Sequence, residues 1–217
     1  MKRLLVLFFV IILFSGVALA HQPRIVSEDV TMIRNPEISQ AFYGELKGRH
    51  DHYNIIEDQG FNLYVSILVP DLLGIGKDVS VGIEPIDDID NNFIYFLNGS
   101  DFEWEHYYEE FGGDWYYGGP DVEAKLGPGG YDIHVMSPDN LGKYVLVVGK
   151  KEEFPLDEFL NTIVTLPRLK SEFFEKSPFE AYFNLIGVFL LVIILIIIAL
   201  AYGVYRLLKK FRKSKKK

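Results

Sequence analysis

Apolar and polar residues alternate with a period of two over much of the middle of the chain. Phe61, Leu63, Val65, Ile67 and Val69 alternate with Asn62, Tyr64, Ser66 and Leu68. Val79, Val81 and Ile83 alternate with Ser80, Gly82 and Glu84, and Tyr131, Ile133 and Val135 with Asp132, His134 and Met136. Tyr144, Leu146 and Val148 give another such row. Alternation of this kind places one side of a strand in a core and the other in water. Weaker strands are expected at 41–47, 52–57, 93–97 and 121–126. Turn residues separate the strands: Asp58-Gln59-Gly60, Asn98-Gly99, Gly127-Pro128-Gly129-Gly130 and Ser137-Pro138-Asp139-Asn140. Many short strands without a long intervening helix predict a mainly β fold, an antiparallel β-sandwich or jelly roll over 21–152.

Two apolar runs have a different character. Residues 1–20 read as a secretory signal peptide: Lys2 and Arg3 precede an apolar stretch from Leu4 to Phe14, and Ala18-Leu19-Ala20 has the small residues of a cleavage site. Cleavage would leave His21 as the first residue. Leu185 to Tyr205 contains no charged residue, and twenty-one helical residues rise about 31 Å, enough to cross a hydrocarbon core. Ser177-Pro178-Phe179-Glu180 has the pattern of a helix start. A transmembrane helix is therefore expected within 177–206. Between sandwich and helix, a linker over 153–176 shows helical spacing at Leu156, Phe159, Leu160, Ile163 and Val164, with Pro167 expected to end the helix. It would pack on the sandwich or lie in the outer leaflet.

The charge distribution orients the chain. The 217 residues carry a net charge of -8, but all 30 acidic residues lie between Glu28 and Glu180. Only 12 Lys and Arg lie between the two apolar runs, over 21–205, so this middle region carries about −18. Eight more basic residues, from Arg206 to Lys217, follow the apolar run, seven of them in a tail over 207–217. Such a cluster marks the cytoplasmic side and attracts lipid headgroups. The expectation is a single-pass plasma-membrane protein with an acidic domain outside and its C-terminus in the cytoplasm. An acidic domain of this size repels phosphate, which argues against a nucleic-acid partner. The chain has no cysteine, so this exported domain would stabilise itself by burial alone.

Three stretches carry a family resemblance. They are Phe42-Tyr43-Gly44-Glu45-Leu46 with Asp51-His52-Tyr53-Asn54-Ile55, then Gly127-Pro128-Gly129-Gly130-Tyr131-Asp132-Ile133-His134-Val135, and Gly142-Lys143-Tyr144-Val145-Leu146-Val147-Val148. Together they resemble the pre-peptidase C-terminal type of β-sandwich, found beside secreted microbial proteases and in collagen-binding modules. The resemblance implies a fold over 41–149 and points to no activity. Several members of that family bind calcium, but their ligands find no residue-by-residue match here.

The remaining chemistry is that of binding. There is no Gly-x-Ser-x-Gly, no His-Glu-x-x-His, no phosphate-binding loop and no cysteine nucleophile, so no enzymatic activity is expected. The segment 101–117 holds both tryptophans, and Trp104, Tyr107, Tyr108, Trp115 and Tyr116 would form a platform for a glycan or peptide, or else cap one end of the sandwich. The oxygen-rich run Asp87, Asp88, Asp90, Asn91 and Asn92 is a calcium candidate, although the following Phe93 and Gly99 depart from a calcium loop. A free N-terminal His21 would chelate copper through its amine and imidazole, with help from His50, His52, His106 or His134, and His50 and His52 would share one face of a strand. The functional expectation is a membrane-anchored module that binds a protein partner, an envelope glycan or a cation. The alternatives are a copper-binding exported protein and an accessory subunit of a larger membrane complex.

Overall fold

A computed structural model describes residues 21–28, 30–87, 92–110, 112–153 and 155–214. The signal peptide expected over 1–20, Asp88, Asp90 and Asn91 of the oxygen-rich run, and Lys215 to Lys217 of the basic tail lie outside the described residues.

Among the described residues, eleven strands form two sheets. They are β1 (Gln22–Ile25), β2 (Val30–Ile33), β3 (Gln40–Lys47), β4 (Asp51–Glu57), β5 (Phe61–Pro70), β6 (Ser80–Pro85), β7 (Tyr95–Leu97), β8 (Glu105–Glu109), β9 (Asp114–Leu126), β10 (Gly129–Met136) and β11 (Leu141–Val148). The first sheet has the order β1-β3-β11-β5-β9-β8 and the second β2-β4-β10-β6-β7. Pairing is antiparallel except at two edges, where β1 runs parallel to β3 and β2 parallel to β4. The mainly β sandwich expected from the alternation is the observed fold.

The inward rows meet as the sequence pattern predicts. Leu63, Val65, Ile67 and Val69 face Tyr53, Ile55, Val81, Ile83, Ile133 and Val135 in one buried cluster. Each fully buried aliphatic side chain contributes about 1.5–3 kcal/mol. Within that core a hydrogen-bond chain satisfies the polar groups: Tyr53 Oη lies 2.7 Å from Tyr144 Oη, and Tyr144 donates to Asp51 Oδ2 at 2.5 Å. Burial drives the pKa of Tyr144 far above the ordinary phenol value. Gly44 leaves the space its tyrosine ring needs, since a Cβ there would come within 2.4 Å of Tyr144.

The segment 101–117 lies at the edge of the first sheet. It contributes β8 and the first part of β9, an antiparallel hairpin with Tyr107 opposite Tyr116 and Tyr108 opposite Trp115. This hairpin extends the first sheet at its edge.

The linker folds as α1 (Leu156–Arg168), a π-helical turn (Leu169–Phe173) and a 3-10 turn (Pro178–Tyr182), followed by α2 (Leu185–Ser214). Pro167 was expected to end α1, but the chain continues helically past it. Proline leaves the carbonyl four residues earlier without its donor. That carbonyl, on Ile163, accepts instead from the Tyr182 hydroxyl at 3.2 Å. The π-helical turn then lays Leu169, Phe173 and Phe174 on the outer face of the first sheet, over Ala41, Tyr116, Val145 and Val147. An ion pair buries itself at this contact: Lys170 Nζ lies 2.6 Å from Asp114 Oδ2, with side chains only 2% and 3% exposed. Lys176 reaches the other oxygen of Asp114 at 3.0 Å.

The apolar segment Leu185–Arg206 is long and apolar enough to cross a membrane, with little of it buried in the protein. Asn184 starts it. Its Oδ1 accepts from the Gly187 amide at 3.1 Å, and its Nδ2 donates to the Gly112 carbonyl at the tip of the β8–β9 hairpin at 2.7 Å. One side chain thus caps the helix and holds the sandwich against its end.

Candidate metal centre

The inward row of β10 is Ile133 and Val135, so Asp132 and His134 point outward from the second sheet. Register places His134 opposite His52 of β4 and opposite Gly82 of β6, and Asp132 opposite Asn54 and Glu84. Four polar side chains from three adjacent strands therefore meet on one outer face.

Their atoms converge. His52 Nδ1 lies 2.9 Å from Asp132 Oδ2, and His134 Nε2 lies 3.1 Å from the same oxygen. Glu84 Oε1 is 3.0 Å from His134 Nε2. One ligand atom each from His52, Asp132 and His134 falls within 4.8 Å of the others. The imidazole rings of His52 and His134 meet edge to face at 4.5 Å. The second carboxylate oxygen of Asp132 is buried and accepts no hydrogen bond among the described residues. A buried carboxylate oxygen without a partner is costly, and a cation at this point would offset that cost.

The same contacts set the electrostatics of the cluster. Burial opposes a proton on His134, but the hydrogen bonds and charges of Asp132 and Glu84 outweigh it and hold its pKa above the ordinary 6.5. Burial opposes a charge on Asp132 as well, yet its hydrogen bonds with His134 and His52 prevail and hold its pKa below the ordinary 3.8. The site keeps a negative charge and concentrates positive charge beside it. His50, just before β4, has its pKa lowered by partial burial and then by the positive charges of His134 and His52.

The walls of the site are apolar. Gly82 makes room for the Phe93 ring, since a Cβ there would lie 2.4 Å from it. That ring sits 5.4 Å from His134 and stacks on Phe96 at 5.7 Å. On the other side of His52, exposed Val30 and Met32 occupy the edge strand.

Two imidazole nitrogens and a carboxylate oxygen are a ligand set for a borderline divalent ion such as zinc or copper(II). Bonds of about 2.0–2.2 Å to such an ion place neighbouring ligand atoms roughly 3.3 Å apart in a tetrahedron. The observed separations of 2.9 and 3.1 Å from Asp132 are close to that. Calcium, which takes six to eight oxygen ligands, does not suit the two nitrogens.

The residues singled out in the sequence are distributed differently. Of His21, His50 and His52, only His52 belongs to the cluster. His21 stands before β1, at the edge of the first sheet, with its Nδ1 hydrogen-bonded to Ser39 Oγ. His50 immediately precedes β4 and lies outside the cluster, although the charges of His134 and His52 reach it. Among the aromatic residues, Tyr108 and Trp115 lie on one face of the hairpin with ring centroids 5.1 Å apart. Tyr107 and Tyr116 lie on the other, where Tyr116 is buried against Phe174 and reaches Tyr43 Oη at 3.2 Å. Trp104 precedes the hairpin and donates to the Gly99 carbonyl at 2.9 Å. His106 stacks on Trp115 and lies 2.9 Å from Asp71. The five aromatics thus do not form one platform.

Asp132 and Glu84 were not identified from the sequence. The signal was present: Asp132 and His134 occupy alternate positions of a strand whose other face is aliphatic, so they share the outer face. What the pattern lacked was the neighbour of β10, and only the pairing with β4 brings His52 opposite His134.

No family model matches the chain, and no curated protein matches it. Among solved structures it is similar to the pre-peptidase C-terminal domain of collagenase from Bacillus anthracis, with 17% identity, 57% of this chain and 96% of that chain covered, and a TM-score of 0.35. It is also similar to CorA, a surface-associated copper-binding protein of Methylomicrobium album BG8, with 8% identity, 59% of this chain and 100% of that chain covered, and a TM-score of 0.30. Both are likenesses of fold.

Proposed function

We propose that the chain is a membrane-anchored, extracytoplasmic binding module that holds one divalent transition-metal ion through His52 Nδ1, Asp132 and His134 Nε2. The observation that carries this reading is the convergence of the three ligand atoms within 4.8 Å on one sheet face. The buried, unpartnered Asp132 Oδ1 supports it further. Glu84 Oε1 lies 3.0 Å from the same His134 nitrogen that the ion would take, and adds negative charge beside the site. The surplus of acidic residues in the middle of the chain raises the local concentration of cations.

The apolar α2 serves as the anchor. The basic residues after Tyr205 support a cytoplasmic C-terminus and a sandwich outside. Binding is the whole activity in this reading: the site recognises a cation and carries no catalytic role.

The test is metal content. Full-length protein in detergent, dialysed against zinc(II), copper(II) or calcium(II) and then analysed by mass spectrometry, retains about one zinc or copper ion per chain and no calcium. The double substitution His52→Ala with His134→Ala removes it. Retention by the double variant at the same stoichiometry contradicts the assignment.

A further inference from the structure

Helix α1 has three faces. Thr162 and Leu166 are buried against the protein, and Glu158 pairs with Arg24 of β1 at 2.7 Å. Asp157, Asn161 and Arg168 form an exposed polar face. The third face is apolar and also exposed: Leu156, Leu160 and Val164 follow one another at intervals of four residues and are 73%, 55% and 69% exposed. Spacing of four aligns them along one stripe of the helix.

This stripe is not isolated. Ile163, next to it on the helix surface, lines an apolar groove with Tyr182, Gly187, Leu190, Leu191 and Ile194, all from the 3-10 turn and the first turns of α2. Leu166 packs with Ala181 and Ile186 below it. The free face of α1 is thus continuous with the apolar surface of the helix that fits a membrane span. Phe179 and Phe183, in and just after the 3-10 turn that joins the two helices, are strongly exposed as well.

The depth is consistent. Leu190 is five residues beyond Leu185, or about 7.5 Å along the helix axis. A helix lying flat with its apolar side in a bilayer sinks about 5–10 Å into the boundary between headgroups and acyl chains. A helix held beside Leu190 is at that level if Leu185 marks the start of the hydrocarbon.

We infer that α1 is an interfacial helix, with Leu156, Leu160 and Val164 inserted into the outer leaflet and Asp157, Asn161 and Arg168 turned to water. The inference rests on the reading of α2 as a membrane span. Its occupant is lipid rather than protein because the stripe runs on into a surface that lipid already covers in that reading. The stripe carries no basic residue, so it meets acyl chains and not anionic headgroups. Its consequence is a fixed posture. Asn184, the Asp114 ion pair and α1 together hold the sandwich against the bilayer instead of leaving it on a loose stalk.

The chain has no cysteine, so single cysteines can be placed without a background. Full-length Leu160→Cys, Val164→Cys, Asn161→Cys and Leu195→Cys, each spin-labelled and reconstituted in phosphatidylcholine bilayers, report accessibility to oxygen, which enters lipid, and to a water-soluble nickel chelate. Labels at 160, 164 and 195 are expected to favour oxygen, and the order reverses at 161. A label at 195 in lipid with 160 and 164 open to the chelate overturns the interfacial helix and leaves the span intact. A label at 195 open to the chelate overturns the span itself. Labels at 160 and 164 shielded from both reagents mean that a protein covers the stripe, which also overturns the inference. The positions at 161 and 164 are exposed, so their substitution leaves the fold in place and keeps the comparison valid.

Discussion

Tyr182 donates its hydroxyl hydrogen to the main-chain carbonyl of Ile163 across 3.2 Å, four residues before Pro167. Proline has no amide hydrogen to offer that carbonyl, and the tyrosine takes its place. The bond joins α1 to the turn that leads into α2, so a local defect in one helix becomes a contact between two. Tyr182→Phe should cost about 0.5–1.5 kcal/mol, the usual net value of one hydrogen bond. In a Pro167→Ala background the helix supplies its own donor, and the cost of Tyr182→Phe should shrink. Denaturant unfolding of the four members of this cycle measures the coupling.

The buried Asp114 holds two lysines, Lys170 at 2.6 Å and Lys176 at 3.0 Å. Removing one partner of a buried ion pair leaves an uncompensated charge and costs about 3–5 kcal/mol. Asp114→Asn should lower stability by an amount of this order, and it should loosen the π-helical turn from the first sheet. Hydrogen exchange of the amides around Leu169 and Phe173 would show the loosening. Unchanged protection there would contradict the role given to the pair.

The pair of Asp132 and His134 makes stability depend on pH in a defined window. His134 has a raised pKa, so its contribution is fully present below the ordinary 6.5 and is lost as pH rises through its native value. Asp132 has a lowered pKa, so its contribution is present above the ordinary 3.8 and is lost as pH falls through its native value. In metal-free protein the destabilisation caused by Asp132→Asn should therefore be greater at about pH 5 than at about pH 8.5. Urea unfolding of both proteins at the two pH values tests this. A difference of the opposite sign would show that His134 is not charged against Asp132. Protons and metal compete for the same nitrogens, so metal affinity should rise with pH over the range in which His134 deprotonates.

The sandwich was legible because one-sided burial writes itself into a period of two. The rows at 61–69, 79–83 and 131–135 all point inward. The run Tyr144-Val145-Leu146-Val147-Val148 was read as one such row, yet Val145 and Val147 are buried too, because the π-helical turn covers the outer face. A continuous apolar run marks a strand covered on both sides. The short edge strands β1 and β2 gave no periodic signal over four residues each. The hairpin in 101–117 was hidden because its aromatics face both ways and glycines interrupt it. The metal cluster is a product of register, and a single sequence does not reveal which strands become neighbours. His52 and His134 were visible as histidines, while their meeting was not.

The central claim is that one metal ion sits between His52, Asp132 and His134. Isothermal titration of zinc(II) and copper(II) into protein that begins at His21, in detergent, tests this. It should be made on the wild type, on His134→Ala and on a form with one residue added before His21. One ion per chain is expected for the wild type, with unchanged binding in the extended form. His134→Ala should weaken binding by more than about tenfold, the lower end of what even groups behind the ligands contribute. Binding that survives His134→Ala and disappears in the extended form would place the metal at the N-terminus and contradict the account, as would the absence of stoichiometric binding in the wild type.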